Sequence, residues 1–237
     1  MMKRVFDLVL ATTGLLVTSP LLIAVAIWVK RDSDGPVFYR PLRAGRHGKP
    51  FKIYKFRSMV VNADQVGGPT TSGSDPRVTR SGRFIRACKI DELSQLINVV
   101  RGEMSLVGPR PEVVWKVKKY TEEEKKTLEM RPGITDWASI WNSDEGGVLE
   151  GAPDPDAVYE EVIRPTKMKL QLYYYQTQSV GKDLKIIFAT IYRILNKNWS
   201  PMELTGYPSF DELRAQALQV IERQKQDTKQ EDEVQNG

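Results

Sequence analysis

Residues 8–29 read LVLATTGLLVTSPLLIAVAIWV, a run without a single charge. About 20 apolar residues are what a helix needs to cross the hydrocarbon core of a bilayer, and this run has that length. Lys3, Arg4 and Asp7 precede it; Lys30, Arg31, Arg40, Arg43 and Arg46 follow it. Three readings compete. A cleaved signal peptide would start at Lys3-Arg4 and be cut near Ala24-Val25-Ala26, yet Ile27-Trp28-Val29 carry the apolar run past that point. A straight transmembrane helix accounts for the length. A bent helix that enters and leaves by one face accounts for two further features. Ser19-Pro20 sits near the middle, where proline lacks a backbone donor and crowds the preceding turn. Basic residues on both flanks draw both ends to the cytoplasmic side. Because prolines are also tolerated in spanning helices, the straight and the re-entrant helix both stand at this point.

Around this segment the composition is that of a folding chain: 237 residues, 41% apolar and 27% charged. The polar stretch from Leu218 to Gly237 balances the apolar start, and the tail from Gln224 is expected to be frayed. A net charge of +5 points to anionic partners: nucleic acid, lipid headgroups or phosphorylated small molecules. A single cysteine, Cys88, excludes an intrachain disulfide and a cysteine-rich zinc site. A single histidine, His47, excludes a multi-histidine metal site, and its Gly- and Lys-rich surroundings make it a poor triad member. Chemistry here must run on carboxylates, arginines, lysines and a hard metal ion.

Val37–Arg40 and Phe51–Arg57 read as strands, with the turn chemistry of 44–50 joining them into a hairpin. Asn62 to Asp75 reads as a loop. Leu93, Leu96, Ile97 and Val100 form a helical stripe, ended by Gly102. Thr121 to Met130 is a short charged helix with a Thr121–Glu124 capping box, stopped by Arg131-Pro132-Gly133. Gly146 to Pro155 is a second loop. Asp183 to Trp199 sets Leu184, Ile187, Phe188, Ile191 and Leu195 on one face; Tyr173-Tyr174-Tyr175 and Trp199 favour an interfacial helix over a core one.

The candidate chemistry lies at Lys89-Ile90-Asp91-Glu92-Leu93. The plain reading is a helix start, with Asp91 as cap and Glu92 facing the dipole. The alternative is a pair of carboxylates that holds Mg²⁺ and a phosphate together. Arginines nearby add weight to it, and both readings stand at this point. Arg77, Arg80, Arg83 and Arg86 recur just upstream, Arg110 lies between Pro109 and Pro111, and Arg131 precedes Pro132. Lys55 and Arg57 end the second strand. Guanidinium forks match phosphate oxygens, and such charges beside carboxylates suit phosphoryl transfer.

These residues, in order, carry a resemblance. The strings are Lys3-Arg4-Val5-Phe6-Asp7, Ser19-Pro20, Gly35-Pro36-Val37-Phe38, Lys55-Phe56-Arg57-Ser58-Met59 and Asp75-Pro76-Arg77-Val78-Thr79. Asp91-Glu92-Leu93-Ser94-Gln95-Leu96, Met104 through Pro111, and Arg131-Pro132-Gly133-Ile134-Thr135 follow. Over roughly residues 1–200 the chain resembles the monotopic phosphoglycosyl transferases, also called bacterial sugar transferases or undecaprenyl-phosphate sugar phosphotransferases. The resemblance implies a re-entrant helix broken at Ser19 and Pro20, with both ends on the cytoplasmic face of the bacterial inner membrane. It implies Asp91 as nucleophile toward a UDP-sugar, a phosphosugar-aspartyl intermediate, release of UMP, and transfer to polyprenyl phosphate. Mg²⁺ at Asp91 and Glu92 and phosphate or nucleotide contacts from Lys55, Arg57, Arg86, Arg110 and Arg131 come with it. So do membrane lipids as partners, no nucleic acid, and a homodimer left open.

Two positions depart from the family pattern: Asp136 stands where glycine is usual and Ser94 where proline is common. The expected fold is α+β and mostly helical, without an added extramembrane domain. It divides into a re-entrant helix (1–32), a catalytic domain with interfacial helices (33–200) and a C-terminal helix with polar tail (201–237). A membrane-anchored basic scaffold and a metal-dependent phosphohydrolase are the rival functions.

Overall fold

A computed structural model describes residues 2–63, 75–196 and 199–235, with side chains through 226. The loop expected at 62–75 and Lys197 at the edge of the interfacial helix fall largely or wholly outside the described residues. The architecture is mostly helical, with three two-stranded ladders.

Helix α1 (Met2–Asp32) is the apolar segment, with mean hydropathy 2.1 over its most apolar stretch. It runs on through Pro20 without interruption, so the break expected at Ser19 and Pro20 does not divide the helix. Proline cannot donate to the carbonyl four residues back, which is that of Leu16. The Ser19 hydroxyl donates to that same oxygen at 2.8 Å and so fills the vacancy. Around this point Leu16, Val17 and Ile23 are exposed, whereas both ends of α1 dock on the rest of the molecule. At the first end Lys3 pairs with buried Asp183 at 2.5 Å, and the buried Asp7 carboxylate accepts from Ser105 Oγ at 2.8 Å and the Leu106 amide at 3.1 Å. At the other, Asp32 accepts from the amide and hydroxyl of Ser81 at 2.8 and 2.7 Å.

The expected hairpin forms in two ladders. β1 (Phe38–Tyr39) and β2 (Leu42–Ala44) turn through 46–48 into β3 (Pro50–Lys52) and β4 (Lys55–Phe56). β2 pairs with β3 and β1 with β4, both antiparallel; Pro41, which has no N–H to offer, lies in the gap. α2 (Arg80–Ala87), capped by Thr79, packs with its Gly82 directly against the Ser58 carbonyl. A 3₁₀ turn (Ile90–Gln95) leads into α3 (Leu96–Val100), whose Leu96 and Val99 pack beside Ala11 of α1. Gly102, at φ +82°, ends it as predicted.

β5 (Ser105–Val107) pairs in parallel with β6 (Gly133–Thr135). Three-residue strands are too short to show a sequence period, and this pair was not expected. Their crossing is so close that a Cβ on Gly133 would lie 2.1 Å from the Gly108 nitrogen. Between them lie α4 (Val114–Val117) and α5 (Glu122–Lys125), the latter with the predicted Thr121–Glu124 capping box. The second expected loop is partly helical: α6 (Trp137–Trp141) is followed by α7 (Glu145–Val148) because Asp144 caps it and Val148 and Leu149 are fully buried.

α8 (Pro155–Val158) passes through a π-turn (Tyr159–Ile163) into α9 (Arg164–Thr177). α10 (Val180–Leu195) is the candidate interfacial helix, and it has two apolar faces. Ile186 and Ala189 are in the core, while Leu184, Phe188, Ile191 and Leu195 are exposed, Phe188 at 67%. α11 (Phe210–Gln235) anchors through buried Leu213, Ala217 and Ile221 and continues as helix to Gln235, further than the frayed tail expected from Gln224.

Candidate active site

Lys89 takes a left-handed backbone, φ +55° and ψ 21°, and so turns the chain sharply into the 3₁₀ segment. That turn sends Ile90 toward the cluster of Val25, Val29, Phe56 and Ile85 and leaves Asp91 buried, at 2% exposure. Asp91 is therefore not a helix cap: the cap position is Lys89, and no side chain caps this turn. The cap half of the plain reading fails on that geometry, although both carboxylates do fall in the first turn.

Two buried polar residues bring the pair to the strand. Asn98 accepts from the Tyr54 amide at 2.8 Å and donates to the Lys52 carbonyl at 3.0 Å. Ser94 Oγ lies 3.1 Å from the carbonyls of both Tyr54 and Asp91. Ser94 thus does more than alter a helix turn, since it ties the nucleophile candidate's own backbone to β4. With Phe56 turned into the core, Lys55 lies over the carboxylates, its Nζ 3.0 Å from Asp91 Oδ2 and 3.3 Å from Glu92 Oε1. Arg110 grips Glu92 with both guanidinium nitrogens, Nη1 at 3.0 Å from Oε2 and Nη2 on Oε1. Burial alone would raise the Glu92 carboxyl, but the charges of Arg110 and Lys55 hold it well below the usual carboxylate range. Glu92 in turn raises Arg110.

The structure thus gathers Lys55, Asp91, Glu92 and Arg110. Arg86 ends α2, and its Nη1 is the one side-chain polar atom among the described residues that is buried without a partner. Such an orphan donor suits an anion. Arg57 requires a correction. It is 5% exposed, and its five N–H groups meet five acceptors: the carbonyls of Val29, Ser33, Asp34 and Pro36 and the Ser33 hydroxyl, at 2.5–3.3 Å. It caps the carbonyl end of α1 and has no donor left for phosphate. Arg131 donates to the Gly102 carbonyl at 2.9 Å, where burial and the nearby charges of Arg4 and Arg46 lower its pKa; this bond ties it to the turn after α3 and not to the carboxylate pair. Asp136 caps α6, accepting from the Ser139 amide at 2.7 Å and from buried Gln171 at 3.2 Å, so its departure from the family pattern is spent on local structure.

Sequence reasoning passed over Asn98, and it named Lys89 without giving it the turn that it makes. Asn98 does leave a signal, a lone amide inside the apolar run 96–100. Asp91 and Glu92 offer Mg²⁺ two hard carboxylates, a set that this ion accepts when phosphate and water complete its shell. Among the described residues no three acidic, histidine or cysteine side chains gather to hold a metal unaided.

The site is thus a carboxylate pair under a lysine and an arginine, packed beside a long apolar helix. The chain belongs to the bacterial sugar transferase family, whose profile matches residues 1–197. It is similar to the UDP-glucose:undecaprenyl-phosphate glucose-1-phosphate transferase of Escherichia coli (strain K12), 40% identical over 203 residues that cover 81% of this chain and 40% of that protein. It is also similar to the undecaprenyl-phosphate glucose phosphotransferase of Komagataeibacter xylinus, 41% identical over 204 residues, 83% of this chain and 36% of that one. The sugar transferase EpsL of Bacillus subtilis (strain 168) is 37% identical over 194 residues, 82% of this chain and 87% of its own length. The chain thus spans about two fifths of the first two relatives and most of the third.

Proposed function

We propose that this chain transfers a sugar 1-phosphate from a nucleotide sugar, a UDP-sugar in the first instance, to polyprenyl phosphate at the cytoplasmic face of the bacterial inner membrane. One observation carries the reading: Asp91 lies buried under a single lysine, beside a glutamate that a guanidinium fork already fixes. Glu92 is held in place as a charge, whereas Lys55 is the cation that a donor pyrophosphate can draw away from Asp91. The Asp91 carboxylate then attacks the sugar-bearing phosphorus. An acyl-phosphate bond forms as the bond to UMP breaks, and UMP departs with that electron pair. A phosphate oxygen of the polyprenyl carrier attacks the same phosphorus, and Asp91 leaves as free carboxylate. Arg110 and the orphan nitrogen of Arg86 supply positive charge where negative charge gathers. Asp91 and Glu92 are the residues that would hold Mg²⁺, which would supply further positive charge against the pyrophosphate.

The membrane arrangement follows from α1. Both of its ends dock on one body, through Lys3 and Asp7 at the start and through Asp32 and Arg57 at the close. A spanning α1 would sink its middle in hydrocarbon about 30 Å thick, where a body that carries exposed charges and grips both ends could not follow it. We therefore take α1 as re-entrant, with the exposed apolar face of α10 and the Trp28–Phe84 ring pair (centroids 5.5 Å apart) in the interface.

Incubating the purified protein with Mg²⁺ and a panel of UDP-sugars, with and without undecaprenyl phosphate, tests the reaction. We expect UMP release from one donor that depends on the lipid and is lost in Asp91→Asn. Sustained lipid-independent release of free sugar phosphate would instead make the protein a hydrolase.

A further inference from the structure

A second buried charge cluster, outside the carboxylate pair, is built on Glu112, close to Arg110 in the chain. Glu112, two residues on, is held by both carboxylate oxygens and by its carbonyl. Its Oε2 accepts from Lys167 Nζ at 3.2 Å and from the Tyr159 hydroxyl at 3.3 Å. Its Oε1 accepts from the Val113 amide at 3.0 Å, and its carbonyl from the Ala44 amide at 2.8 Å. Lys167 also donates to the Tyr159 hydroxyl at 2.5 Å. Lys116, itself buried, closes the back of the cluster against Asp156 (3.2 Å) and Glu160 (3.0 Å), with its ammonium 4.5 Å from the Tyr159 ring centroid.

Burying so many charges is costly unless they are paired, and a fold keeps such a network where it fixes something. The π-turn points the same way. One extra residue per turn at 159–163 is rare in helices and is found mostly at functional sites. Here it lets Tyr159 and Lys167, eight residues apart, meet at one carboxylate.

What the carboxylate fixes is the segment 109–112. On its other side the Pro109 carbonyl accepts from the Gly133 amide at 3.0 Å. Arg110 is thus suspended between two anchors, with Pro111 limiting the torsions between it and Glu112. We propose that Lys167, Tyr159 and Glu112 are positioning residues for Arg110: by clamping Glu112 they set where its guanidinium stands on Glu92 and on the phosphate being transferred. The catalytic half of this statement rests on the transferase reading above; the positioning half does not.

The test uses the full chain in detergent or nanodiscs. Glu112→Gln keeps the shape and breaks the ion pair; Tyr159→Phe removes one hydroxyl and serves if the first variant fails to fold. Hydrogen–deuterium exchange by mass spectrometry reads the peptide spanning 106–114. Steady-state kinetics read kcat and the donor KM, alone and in an Arg110→Lys background. We expect faster exchange confined to that peptide and a kcat lowered about tenfold or more, since small misplacements of a charge are costly in catalysis. In the Arg110→Lys background the same substitution should cost under about twofold, because the residue through which it acts is already altered. Unchanged exchange would overturn the proposal. So would a kcat loss of undiminished size in the Arg110→Lys background, which is what a merely structural role gives. Altered exchange in a protein whose wild type releases no UMP from any donor would leave the clamp standing and remove the transferase reading alone.

Discussion

All five N–H groups of Arg57 end on acceptors between Val29 and Pro36, whereas Arg110 turns its fork on a single carboxylate. The first arginine is consumed by the backbone, and the second stays partly exposed beside a reactive pair. The buried carboxylates differ in a measurable way too. Burial would raise Glu112, yet Lys167 and the Val113 amide bring its pKa down to about 2. A depressed carboxyl pKa contributes stability that is fully present above the unfolded value of 4.5 and is lost as pH falls toward 2. The shift is worth on the order of 3 kcal/mol, of which about 2 should disappear between pH 6 and pH 3. Denaturant unfolding at both pH values should therefore show the gap between wild type and Glu112→Gln narrowing in acid; a gap independent of pH would contradict the assignment. Which arginine meets which fate was not legible in the sequence. A charge beside a motif is visible there, but the acceptors that exhaust it are a property of the folded chain. Asp91 and Glu92 stand out in the sequence because their residue types suit the chemistry proposed for them.

At the scale of elements, short-range signals held and long-range ones were missing. The Thr121 capping box, the stop at Gly102 and the turn at 44–50 each depend on neighbours within a few residues, and each is present. The parallel β5–β6 pair joins Ser105 to Gly133, and the Glu112 clamp reaches to Lys167; no local period announces either. α1 lies between these cases. Its length and its Ser19-Pro20 pair were plain, but only the docking of both ends on one body argues for a return to the same face. In a Cys88→Ser background, single cysteines at Met2 and Asp34 should both react with an impermeant maleimide only once the cytoplasmic side is opened. Labelling of the two sites from opposite sides would make α1 a straight span.

For the molecule as a whole, the apolar helix and the charged site are parts of one device. Asp7 of α1 is bonded to β5, the segment from β5 leads through Gly108 to Arg110, and Ile90 beside Asp91 packs with Val25 and Val29. The apolar helix and the placement of the carboxylate pair are therefore mechanically joined, as the proposed reaction between a soluble donor and a lipid acceptor requires. The central claim is that Asp91 carries the phosphosugar between the two. Intact-protein mass spectrometry after incubation with Mg²⁺ and the active UDP-sugar, with no lipid present, tests it most directly. The account predicts an added sugar phosphate on the peptide holding Asp91, absent in Asp91→Asn and discharged by undecaprenyl phosphate. Full lipid-dependent turnover with no adduct, and with Asp91→Asn still active, would contradict it.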